Sequence, residues 1–195
     1  NGMCFQSRPT VRDHAGTFFW KSKDITMTSL DIHFLHGFGM VGQHSENITM
    51  DDVDFEAPKE SGRTTAGYAD FVQMSGCKGT INISNCTFAG PHDDPINIHG
   101  TFNTVTAISS DRRTITVQYN HNETAGFPNF FEGDEIEFMT KGNMITVEDS
   151  VRTVTKVDGP DGMGGNMGDG SGSLTTIKLT LNEAVPSDVQ VNQHV

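Results

Sequence analysis

Three stretches of this chain share one pattern: "DITMTSLDIHF" (residues 24–34), "NITMDDVDFEA" (47–57) and "TINISNCTFAG" (80–90). Each opens on an alternating apolar run, turns at a polar corner and resumes the alternation. The apolar sets are Ile25, Met27, Leu30, Ile32; Ile48, Met50, Val53, Phe55; and Ile81, Ile83, Cys86, Phe88. A period of two marks strands with one buried face. Ile25 and Ile48 are 23 residues apart, Ile48 and Ile81 are 33 apart, and the surplus falls in the polar loop "APKESGRTTAG" (57–67). A third run closes each unit: "FGMVGQHS" (38–45), "DFVQMSG" (70–76) and "DPINIHG" (94–100). Three short strands at a common period, each stacked on its equivalent in the next turn, describe a parallel β-helix. Asn47, Asn82 and Asn85 are expected at its tight corners. An antiparallel sandwich of short strands is the alternative, although a sandwich does not demand a common period.

The second half changes character. From about Asn103 the runs lengthen and hairpin signals join them: "NTVTAIS", "RRTITVQYN", "GDEIEFM", "MITVEDSVRTVTKV" and "LTTIKLTL". A small antiparallel barrel or sandwich is expected there. Two domains follow, residues 1–102 and 103–195, both all-β. The glycine-rich "GPDGMGGNMGDGSGS" (159–173) has some likeness to a calcium-binding nonapeptide but does not repeat, so it reads as a hairpin loop.

Composition narrows the function. Thirteen Lys plus Arg against 25 Asp plus Glu leave a formal charge of -12. That balance argues against a polyanionic partner such as nucleic acid and suits a neutral ligand such as a sugar. No run approaches the roughly 20 apolar residues of a membrane span. The three cysteines, Cys4, Cys77 and Cys86, show neither CxxC nor zinc spacing, so free thiols are expected, with a Cys77–Cys86 pair as the alternative. The sequons at Asn47, Asn82, Asn85 and Asn122 read as turn asparagines. The chain opens at Asn1 and ends at "QVNQHV", and it is expected to be a piece of a longer protein.

The stretch "GPHDDPINIHGT" (90–101) carries the chemistry. Aligned on the repeat, "ADFVQMSG" and "DDPINIHG" match Asp70 with Asp94, Val72 with Ile96 and Met74 with Ile98. One turn separates Asp70 from Asp94, so the two stack at about 4.8 Å. Asp93 is the near neighbour of both, and Pro91 and Pro95 favour a corner at which all three carboxylates meet on the outer surface. Such crowding serves either calcium coordination or acid and base catalysis, in which one carboxyl stays protonated beside ionised partners. Glycosidic cleavage needs that division. Asn97 and His99 fall on one face of their strand, opposite Ile96 and Ile98, and are candidates to bind sugar hydroxyls. His92 and Arg63 are weaker candidates. Trp20, in "GTFFWKS", is expected in the core rather than under a sugar, and His33, His36 and His44 have no metal-ligand spacing.

The run "SGRTTAGYADFVQMSGCKGTINISNCTFAGPHDDPINIHGT" (61–101), with "LHGFGMVGQHSENIT" (35–49) upstream, resembles glycoside hydrolase family 110. These are bacterial exo-acting α-1,3-galactosidases. The resemblance covers most of residues 16–101 and is mainly architectural beyond. It implies a right-handed parallel β-helix carrying an inserted antiparallel β-barrel, here cut off before the β-helix resumes. It also implies an inverting exo-glycosidase that removes terminal α-1,3-linked galactose from blood-group-B-like or linear glycans, without cofactor or metal, in a secreted, periplasmic or cell-surface setting. By motif, Asp93 in "PHDDP" is the expected general acid, and Asp70 in "YADFVQ" with Asp94 the base unit. Inversion implies about 6.5–9.5 Å between acid and base. Two alternatives remain at this point. A polygalacturonase-like endo-hydrolase would meet an anionic substrate, yet between Asp70 and Gly100 only Lys78 is a lysine or arginine. A non-catalytic, carbohydrate-binding or adhesive β-helix would use the aspartates for calcium.

Overall fold

The computed structural model describes residues 2, 3, 5, 7, 12, 14–121, 124, 128–159 and 176–195. Cys4, the sequon at Asn122 and positions 160–173 of the glycine-rich stretch lie outside the described residues. Among those described, the elements are mainly strands, with a 3-10 turn at Lys59–Ser61, and no helix is long and apolar enough to cross a membrane. The chain divides into two compact units, Asn1–Gly100 and Thr101–Val195.

The first unit contains β1 (Thr17–Trp20), β2 (Lys23–Ile32), β3 (Met40–Gln43), β4 (Glu46–Phe55), β5 (Val72–Ser75), β6 (Lys78–Ser84), β7 (Thr87–Phe88) and β8 (Ile96–His99). They form two parallel sheets, β1-β3-β5-β8 and β2-β4-β6, with β7 also pairing β4. The parallel pairing removes the antiparallel alternative for this unit. Like stacks on like, as the period predicts: Ile25, Ile48 and Ile81 share a row, as do Met27, Met50 and Ile83, and Ile32, Phe55 and Phe88. The middle turn is sealed from water, with Ile48, Met50, Val53 and Phe55 all at 0% exposure. Phe55 stacks between Phe71 and Phe88 at ring-centroid distances of 5.5 and 5.1 Å. Burying such a side chain contributes about 1.5–3 kcal/mol.

The corners recur with the strands. Left-handed residues fall at Lys21, His44 and Gly76, at Asp24, Asn47 and Gly79, and at Ser29, Asp52 and Asn85. The backbone therefore bends at the same three places in successive turns. The "polar corner" inside each long run is such a residue, and it bends one continuous ten-residue strand in β2 and β4; separate short strands occur only around Asn85. Side chains tie neighbouring corners together. The Asn47 amide donates to Asp24 Oδ1 at 2.9 Å, and its oxygen accepts from the Thr80 N–H at 3.2 Å. Ser84 and Asn85 both donate to Asp51, which holds that carboxyl below its ordinary value. Asn82 is no corner: it sits within β6, paired with Thr49. Cys77 and Cys86 are free thiols, and burial pushes the Cys77 thiol up.

The second unit is antiparallel: β9 (Asn103–Ile108), β10 (Thr114–Tyr119), β11 (Glu135–Ile136), β12 (Arg152–Asp158) and β13 (Thr176–Leu181), in the order β11-β12-β13-β10-β9. The sheet curls as a half-barrel. The C-terminal segment bonds to both sides, with the Asn103 N–H donating to Val195 O and the Met139 N–H to His194 O, each at 2.9 Å. Its core gathers Val105, Ile115, Val117, Tyr119, Phe138, Ile177 and Leu179. The run "MITVEDSVRTVTKV" is shorter as a strand than its alternation suggests, because Met144 and Asp149 adopt left-handed φ and only Arg152–Asp158 stays extended.

Candidate active site

The β5–β8 register pairs Val72 with Ile96 and Met74 with Ile98, the alignment that stacks Asp70 over Asp94. The ladder continues one step before the strands, where the Phe71 N–H donates to Asp94 O at 3.1 Å. Gly39 makes room on the other side. Its φ of +72° is left-handed, and a Cβ there would collide with the Asp70 carbonyl.

Asp70 is the interior member of the trio, at 2% exposure, and Asp93 and Asp94 are exposed. Asn97 Nδ2 donates to Asp70 Oδ2 at 3.2 Å. Asp70 Oδ1 is buried without a hydrogen-bond partner, and the nearest cation, Arg12 Nη1, stands 3.7 Å away. The other Arg12 nitrogen pairs with Asp93 Oδ2, so one guanidinium bridges two of the three carboxylates. Phe38 backs it, with the Arg12 guanidinium carbon 5.3 Å from the ring centroid. Burial pushes the Asp70 carboxyl above its ordinary value; the Asn97 hydrogen bond and Arg12 oppose that rise, and the charges of Asp93 and Asp94 reinforce it. Among the described residues, no three histidine, cysteine or acidic side chains are gathered to hold a metal ion.

The other expected binding residues divide. Asn97 is committed to Asp70, which makes it a support for a carboxylate as well as a candidate for a hydroxyl. His99 belongs to the same polar surface: its Nδ1 lies 2.8 Å from Gly100 O and its Nε2 3.3 Å from Gln73 Nε2. The carbonyl requires a proton on Nδ1, so Nε2 accepts from the Gln73 amide. His92 has a buried, unpartnered Nδ1. Arg63 is not brought to the carboxylates by any such contact; it stacks 4.4 Å from the Phe34 ring centroid and lines a cavity of about 270 Å³ with Leu35, His36, Gly37, Thr65, Gly67 and Tyr68. Trp20 is not core: it is 44% exposed, and its neighbour Phe19 packs inward instead. Sequence reasoning missed Arg12 and Gln73. The register of Gln73 beside Asn97 was a usable signal for the second, whereas Arg12 lies upstream of the repeat and carries none.

Comparison with known proteins agrees with this architecture. Residues 114–160 match the family described as GLAA-B beta-barrel domain II. The chain is 48% identical over 189 residues to an alpha-1,3-galactosidase A of Streptomyces avermitilis, which covers 97% of this chain and 29% of the relative. It is 45% identical to that of Peterkaempfera griseoplana, covering 96% of this chain and 26% of the relative. The Bacteroides thetaiotaomicron alpha-1,3-galactosidase A is 46% identical over 73% of this chain and 25% of its own length. These relatives are glycoside hydrolases, and the class to which the chain is kin is therefore a glycan-cleaving one. Within it, the chain is similar to the α-1,3-galactosidases, and it spans between a quarter and a third of the length of the first two of these relatives.

Proposed function

We propose that the protein is an inverting exo-glycosidase that releases terminal α-1,3-linked galactose, that Asp70, Asp93 and Asp94 are its catalytic carboxylates, and that the first unit is a right-handed parallel β-helix into which the second is inserted. The repeated left-handed corners and the in-register parallel rows support the β-helix reading. One observation carries the catalytic reading: a nearly inaccessible carboxyl, Asp70, with an orphaned oxygen, shares an arginine with an exposed carboxylate, Asp93, in a chain whose relatives cleave galactosides.

Two criteria for the acid point apart. Burial favours the protonated form at Asp70, but a carboxyl at 2% exposure is badly placed to hand a proton to a leaving oxygen. Asp93 has the reach, at 44% side-chain exposure, and we assign it as the proton donor, released from Arg12 when substrate arrives. Asp70 and Asp94, each two residues before one of the paired strands β5 and β8, act as the base unit that activates water.

Leaving groups test this assignment. In the full-length protein, Asp93→Asn lowers galactose release from an α-1,3-galactosyl oligosaccharide on the order of a thousandfold. It lowers release from a dinitrophenyl galactoside far less, because that leaving group needs no proton. Asp70→Asn and Asp94→Asn lose activity on both substrates. Full oligosaccharide activity in Asp93→Asn, with the fold retained by circular dichroism, sinks the assignment.

A further inference from the structure

We infer that the outer face of the β1-β3-β5-β8 sheet is a trough for a neutral glycan, in which Phe18 and Trp20 are stacking platforms for sugar units beyond the one linked to the terminal sugar. The inference rests on the galactosidase reading for the sugar it extends. Its own basis is the register.

Two rows of side chains cross this face: Phe18, Val41, Gln73, Asn97, and Trp20, Gln43, Ser75, His99. Residues alternate between faces along a strand. Phe19, Met40, Val72 and Met74 accordingly point into the core, leaving Phe18 and Trp20 on the face shared by Asn97 and His99. One end of the face is polar: Asn97 touches the Asp70 carboxylate, and His99 contacts Gln73 beside it. The other end is aromatic and open, with Phe18 at 55% and Trp20 at 44% exposure. Between them in the second row lie half-buried Gln43 and buried Ser75, a low polar floor. β1 stands three strand spacings from β8, about 14 Å at ~4.8 Å per strand. That is the reach of a short oligosaccharide.

The chemistry selects the occupant. Aromatic rings offer an apolar surface to the C–H face of a pyranose, while the amides, the hydroxyl and the imidazole suit sugar hydroxyls. Neither row contains a lysine, arginine, aspartate or glutamate, so nothing in the trough answers a charged ligand. Its continuity with the carboxylates makes the occupant the remainder of the substrate beyond the cleaved bond rather than an unrelated partner.

Chain length of the substrate provides the test in the full-length protein. Trp20→Ala is expected to lower kcat/KM on a neutral α-1,3-galactosyl trisaccharide by about tenfold, and Trp20→Phe by no more than about twofold. Neither change alters turnover of nitrophenyl galactoside, whose aglycone fills only the position next to the galactose and ends short of β1. Equal losses on both substrates, or no loss on the trisaccharide, overturn the inference. Should neither substrate be cleaved by the wild type, the galactosidase reading fails and the trough is tested separately. Trp20 is this chain's only tryptophan, and its fluorescence, taken as the difference from Trp20→Phe, then shifts saturably with the trisaccharide but not with free galactose. Absence of that shift overturns the trough itself.

Discussion

The two units bury their cores in opposite ways. In the first, a residue is covered by its equivalents on adjoining parallel strands, so burial depends on position in the stack. Val72 and Met74 are at 0% exposure, while Ile96 and Ile98, one strand further in the same rows, are at 37% and 52%. In the second, a curled antiparallel sheet covers itself, and a non-repeating set of residues fills the interior. Unsatisfied polar groups differ in kind too. Both units bury amide or imidazole atoms without hydrogen-bond partners, at Gln73 and His92 in the first and at Asn103, Asn129 and His194 in the second; among the described residues the first alone adds a carboxyl oxygen, that of Asp70. A neutral orphan is a modest, local burden. A charged one is a larger burden, and its presence beside two further carboxylates points to use rather than neglect.

Three measurements bear on that contrast. The largest effect is expected from the stack: Phe55→Ala, at a fully buried position between two rings, costs about 3–5 kcal/mol of stability in denaturant titration. Leu30→Ala, in the preceding turn at 39% exposure, costs a small fraction of that; equal costs would break the claim that stack position sets burial. An intermediate effect belongs to Asp70→Asn. Because the folded-state value of Asp70 is raised, its ionised form weighs against the fold at neutral pH, and that weight is absent below the ordinary aspartate value. The variant therefore gains about 1 kcal/mol near pH 7, loses the gain by about pH 3, and is inactive throughout. Thermal melts at the two pH values check the sign. The smallest effect is at Arg12, whose charge lowers the Asp70 value. In Arg12→Gln that opposition disappears, the base unit ionises later, and the acid limb of the kcat/KM profile moves to higher pH. Arg12→Lys restores most of it, and an unmoved limb in Arg12→Gln removes Arg12 from the site.

Much of the first unit was legible because stacking repeats the same contact, and repetition leaves a period in the sequence. The match of Val72 with Ile96, read from "ADFVQMSG" and "DDPINIHG", is the observed register, and it carried Asp70 to the neighbourhood of Asp94. What stayed hidden was non-periodic. Arg12 reaches Asp93 across 81 residues of sequence, from a segment with no place in the repeat. Trp20 reads as core because "GTFFWKS" lies before the repeat settles, yet in the strand Phe19 turns in while Phe18 and Trp20 turn out. In the second unit, the left-handed turns at Met144 and Asp149 break a run whose alternation gives no warning of them.

The unequal spacing of the turns has a consequence for how such a site changes over time. The additional residues between the second and third turns sit almost wholly outside the ladder, around the 3-10 turn at Lys59–Ser61, and the rows on either side keep their partners. The segment that lengthens runs directly into Asp70. Selection is thereby free to vary the length and chemistry of this loop while the ladder that spaces Asp70 and Asp94 stays untouched.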